Sequence, residues 1–122
     1  MNNTEVVNTT SKYIVKTTGI GSETNEILVD AEKLAEGTDG SKVSLIECYY
    51  LIEGTGTLTI NAASETETQA AGKTVAKPLS LTGKGKYGLR PNQLKYGNDK
   101  IIKLTTDSNV KSYLLVTEFR RN

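Results

Sequence analysis

The stretch VSLIECYYLIEG, residues 43–54, constrains the fold more than any other. Read with the two-residue period of a strand, it places Ile46, Cys48, Tyr50 and Ile52 on one face and Leu45, Tyr49 and Leu51 on the other. A strand that is apolar on both faces belongs inside a sheet, with neighbours along both edges and cover above and below. The rest of the chain must supply those neighbours.

It supplies them as further strands. SKYIVKTT (11–18) alternates, with Tyr13 and Val15 on one face and Lys12, Ile14 and Lys16 on the other. NEILVD (25–30), TVAKPLSLTG (74–83), IIKLTTD (101–107) and KSYLLVTEFR (111–120) add more, and TLTI (57–60) is either the return arm of a hairpin across Gly54-Thr55-Gly56 or a strand after a kink. Asp30 can cap a short helical turn over 31–36 that stops at Gly37. NAASETETQAAGK (61–73) holds no apolar residue larger than Ala and reads as a loop or an exposed ribbon tip. With 17 Thr, 6 Tyr and 11 Gly against 2 Pro in 122 residues, the composition favours strands joined by glycine turns around one core. The expectation is an all-β protein of about seven strands: a single antiparallel β-sandwich domain over 11–122, jelly-roll-like or a small barrel. Residues 1–10, polar apart from Met1, Val6 and Val7, read as a flexible N-terminal arm.

Several function classes find no residues to serve them. The chain has no His, so no His-based triad or metal site is expected. Its single Cys48 lies in the apolar row of the central strand, where a thiol is a filler rather than a nucleophile, and cannot form an intrachain disulfide. Glu65 and Glu67 are near neighbours, but Glu23, Glu26, Asp30, Glu32, Glu36 and Asp39 are as scattered, the pattern of solvated charges. No catalytic residue, cofactor or metal is expected. No segment approaches the ~20 apolar residues of a membrane span, and MNNTEVVNTTS has neither the basic nor the apolar part of a signal peptide, so the expectation is a soluble protein made in a cytoplasm, with no membrane contact.

GKGKYGLR (83–90), followed by Pro91, matches the G-x-G-x-x-G string of dinucleotide sites. That fingerprint requires a helix whose N-terminal N–H groups hold the phosphates, and Leu89-Arg90-Pro91 cannot begin one because Pro91 biases Arg90 toward an extended backbone. The glycines then serve turns and close backbone approach in a bent surface loop. Lys84, Lys86, Arg90 and Lys95 interleave with Tyr87 and Tyr96 as in single-strand nucleic-acid sites, but at a sequence pI near 7.8 a solvated or protein-facing surface is favoured over nucleic acid.

The net charge of +1 conceals a division. Residues 1–72 carry 4 Lys against 11 Asp and Glu, whereas residues 73–103 carry 8 Lys and Arg against Asp99 alone. If the fold keeps these blocks apart, the protein has an acidic and a basic region suited to copies of itself or to an acidic partner.

The succession of IVKTTGIGSETNEILVDAEKL, VSLIECYYLIEGTGTLTI, LSLTGKGKYGLRPNQ and SYLLVTEFRRN, from about Lys12 to Arg120, resembles small virion proteins of tailed phages, marine ones in particular: head decoration proteins or other structural components. The resemblance implies a non-enzymatic β-sandwich, made in the host cytoplasm, that binds the major capsid protein on the outer surface of the virion in many copies. The alternative is a tail, fibre or carbohydrate-binding module for host recognition with a surface glycan as ligand; with no Trp and one Phe, its sugar-stacking faces would have to be tyrosines. The assembly-interface candidates are Val6 and Val7 in the arm and Lys84, Lys86, Tyr87, Leu89 and Arg90 in the glycine loop. Tyr87 and Leu89 either anchor a partner or turn inward to plug the end of the sandwich.

Overall fold

The computed structural model describes residues 1–88 and 95–122. Strand β4 (Val43–Gly54) is hydrogen-bonded along both edges, as its pattern requires. On one side lies β12 (Val110–Arg121), on the other β9 (Lys84–Gly88) and β10 (Tyr96–Asp99). β12 in turn pairs with β2 (Lys12–Ile20), and β1 (Asn2–Asn8) closes that side, giving a six-stranded sheet. A four-stranded sheet in the order β3 (Glu23–Asp30), β11 (Ile101–Thr106), β5 (Leu58–Ala62), β8 (Leu79–Leu81) faces it. The chain passes repeatedly between the sheets, so that β2-β12-β4-β9 lies opposite β3-β11-β5-β8, the eight-strand order of a jelly roll. Every pair is antiparallel and the sheets do not close into a barrel.

The core fills the space between the sheets. Phe119, Leu115, Leu45 and Val15 from the larger sheet meet Leu58, Ile60, Ile102 and Leu104 from the smaller, all fully buried. Phe119 stacks on Tyr13 with ring centroids 6.3 Å apart. Two threonines inside the larger sheet are satisfied locally: Thr17 Oγ1 donates to Asn3 Oδ1 at 2.7 Å and Thr117 Oγ1 to the Val15 carbonyl at 3.4 Å. Between β5 and β8, β6 (Thr66–Thr68) and β7 (Thr74–Ala76) form an exposed ribbon where small polar residues predict a tip. Asp30 caps a single 3₁₀ turn, Ala31–Lys33, accepting from the Glu32 N–H at 3.2 Å.

Three expectations change and one choice is decided. Residues 1–10 are not a loose arm: Asn2–Asn8 pairs with β2, from Asn2 opposite Thr18 to Asn8 opposite Tyr13, because β2 would otherwise leave a long row of backbone groups unpaired. Of the two readings of TLTI, the strand after a kink holds and the hairpin arm does not: Gly54, at φ +99°, turns the chain out of the larger sheet and β5 joins the other one. KGKYG (84–88) is not a bent loop but strand β9. The seven expected strands become twelve among the described residues, in part because Lys77-Pro78 divides TVAKPLSL into β7 and β8.

Arg121, the last residue of β12, fastens the end of β1 across the sheet. Its guanidinium donates to Asn8 Oδ1 at 2.7 Å and to the carbonyls of Thr9 at 2.8 Å and Ala35 at 2.6 Å. Arg121→Ala is expected to cost about 1.5–3 kcal/mol and to speed amide exchange in β1 before the rest of the sheet, measured by hydrogen–deuterium exchange.

Candidate assembly surfaces

The registers place side chains in rows across the outer face of the six-stranded sheet. One row runs Thr18, Leu114, Leu51, Lys84; the next runs Lys16, Val116, Tyr49, Lys86; Ile20 stands beyond the first, opposite Ser112. The middle of this face is therefore apolar and its β9 border basic. Ile20 is 86 % exposed, Tyr49 49 % and Leu51 45 %. Ile20, Leu51 and Leu114 contribute to a depression of about 600 Å³ that Glu53 also lines.

Cover on both faces of β4, the reading of its sequence, holds on the inner face only. Opposite Glu118-Phe119, β4 advances from Glu47 to Leu45, so Ile46 is an extra residue. This bulge reverses the alternation and lets Val43 and Leu45 point into the core on one side of it, and Cys48 and Ile52 on the other. Tyr49 and Leu51 stay outside. Cys48 is fully buried, and burial pushes its thiol up to about 12, which keeps it protonated and unreactive in the folded protein.

The glycine segment is shaped to lie against β4. Gly83 takes φ +66° in the entering turn, and its carbonyl accepts from the Ile52 N–H at 2.7 Å. Gly85 pairs with Tyr50, and a Cβ there would lie 2.9 Å from the Tyr50 hydroxyl, so a larger residue would require the Tyr50 ring end to shift. Lys84 stands opposite Leu51 and is exposed. Lys86 stands opposite Tyr49, with its Nζ 3.2 Å from Glu47 Oε1 and 5.2 Å from the centre of the Tyr49 ring. Tyr87, opposite Cys48, is half-buried and packs on the core, so for this residue the inward alternative holds. Leu89 and Arg90 lie outside the described residues. Of the valines, Val6 occupies the irregularity in the β1–β2 register and is 57 % exposed, while Val7 pairs with Ile14.

The Tyr49 hydroxyl and then Lys86 hold the Glu47 carboxyl below the usual carboxylate range; Glu47 and then Tyr49 hold the Lys86 ammonium above its usual value. A lowered carboxyl pKa adds stability that is complete above the unfolded value and is lost as pH falls through the folded one. The clasp between β4 and β9 is expected to persist at neutral pH and to open below the ordinary carboxylate range. Amide exchange across Lys84–Gly88, compared between wild type and Glu47→Gln, measures it; protection in the wild type that ignores acid rules out a role for this pair.

The sequence reading did not pick out Ile20, Tyr49, Leu51, Leu114 and Val116 as a surface. For Tyr49 and Leu51 the signal is the apolar residues on both faces of β4, which the sequence alone reads as cover by other elements. No family model, curated protein or solved structure matches the chain.

Proposed function

We propose that this chain is a non-enzymatic structural protein of a phage virion, a decoration protein that binds the major capsid protein on the outer surface of the head in many copies and stabilises it. The observation that carries the reading is the outer face of the six-stranded sheet, where Ile20, Tyr49, Leu51, Leu114 and Val116 form a broad apolar surface bordered by Lys84 and Lys86. An apolar surface of this kind suits a flat protein partner better than a small substrate. Jelly rolls carry many functions, so the fold adds only compatibility.

Mass spectrometry of virions from the phage that encodes the chain is expected to find it in many copies. Absence from the particles would sink the reading. Low copy number would favour the tail or fibre alternative, and retention on a glycan array would add a surface glycan to its ligands.

A further inference from the structure

The two open edges of the sandwich differ in their unpaired charges, although the blocks are not wholly separated: Lys103 of the basic block lies on β11 beside β3 and Lys100 pairs with Glu32 at 3.3 Å. On one side β1 and β3 lie together, the Met1 amino group resting 3.0 Å from Glu23 Oε1. On the other, β9 and β10 lie over β5 and β8, joined where the Tyr96 hydroxyl donates to the carbonyls of Ile60 at 2.9 Å and Lys77 at 3.0 Å. The β1/β3 side presents Glu5 and Glu26, both exposed and in no ion pair among the described residues. The β9/β8 side presents Lys77, Lys84 and Lys95 in the same condition. Of its carboxylates, Glu47 is engaged with Lys86, Glu65 with the Gly97 N–H and Asp99 with Ser64, while Glu67 on the β6/β7 ribbon is exposed.

We infer that copies of this protein associate head to tail, the basic β9/β8 side of one against the acidic β1/β3 side of the next. Like sides do not suit one another. Two β9 edges would bring Lys84 against Lys84, and two β1 edges would bring Glu5 against Glu5 across a strand already irregular at Val6. Unlike sides attract, and they also match in backbone direction. Counting antiparallel pairs across the larger sheet, β1 and β9 run the same way, and neither has a further neighbour among the described residues. The larger sheet can thus continue from one copy into the next without inverting it. Such a heterologous contact generates a ring or an open chain, not a two-fold dimer. It leaves the apolar outer face free, so copies side by side can turn that face toward one common surface.

The inference rests on the many-copy reading above, and it is tested without any particle, so each can fail alone. The probe is the full-length protein in analytical ultracentrifugation. Wild type is expected to associate with rising concentration at ~0.1 M salt and to be monomeric at ~1 M, where the Debye length falls to about 3 Å. Lys77→Glu/Lys84→Glu makes both sides acidic; Glu5→Lys/Glu26→Lys makes both basic. Each variant alone is expected to remain monomeric at concentrations where wild type associates, and an equimolar mixture is expected to associate again. A wild type that stays monomeric, a charge-reversed variant that associates alone as wild type does, or a mixture that stays monomeric would each overturn the inference. The neutral pair Lys84→Gln and Glu26→Gln covers a reversed variant that fails to fold: each should weaken association several-fold, and no weakening in either counts against it.

Discussion

Phe119→Ala is expected to remove about 3–5 kcal/mol of stability, a large share of the 5–15 kcal/mol that holds a typical domain folded, and to lower Tm by roughly 10–20 °C. Phe119 is fully buried on β12, which lies between β2 and β4, and its ring stacks on Tyr13. Truncation therefore empties space that two flanking strands and the opposite sheet hold open, and little backbone is free to collapse into it. Phe119→Leu keeps most of that volume and is expected to cost about 1.5 kcal/mol or less. Thermal and denaturant unfolding measure both. A loss below about 1 kcal/mol for the alanine variant would mean that the two sheets are not clamped together at this point.

The Tyr49→Ala/Leu51→Ala variant is expected to do the reverse: leave the fold almost intact and abolish most of the attachment. Both side chains are about half exposed on the outer face, so their loss opens no cavity, although Lys86 gives up its contact with the Tyr49 ring. If the outer face meets the shell, each removes an apolar anchor of about 2 kcal/mol or more, and together they are expected to weaken binding to stripped particles by roughly a hundred-fold or more. The apolar contact should persist in ~1 M salt, where contacts made only through exposed Lys84 and Lys86 would be screened. Binding that ignores the double substitution but disappears in salt would move the shell contact to the basic border. Binding that ignores both would remove the outer face from the interface altogether.

These expectations set the same strand, β4, in two roles. Its inner residues Leu45, Cys48 and Ile52 hold the core, and its outer residues Tyr49 and Leu51 face solvent. Nothing in the order of apolar residues separates the roles, because burial by a neighbouring sheet and burial by a partner call for the same side chains. The bulge at Ile46 was equally hidden. Which residue is extra depends on the register with β12, some seventy positions away.

What the sequence determined by itself was local. The alternation of β2, the central place of β4, the capped turn after Asp30 and the small-residue ribbon tip follow from side-chain period, branching and turn chemistry within a few residues. Those properties also favour an all-β domain with one core. The tertiary structure decided what depends on residues far apart in the chain: β12 lies between β2 and β4, β11 between β3 and β5, and residues 2–8 become a strand because β2 offers them an edge. It likewise turned KGKYG from a loop into β9, since glycines that permit a bend also permit close contact with Tyr50. The charge blocks were legible as composition, but only the alternation of the chain between two sheets decides that Glu5 and Glu26 stand at one edge and Lys77 and Lys84 at the other, because sequence distance carries no information about which edge a strand will occupy.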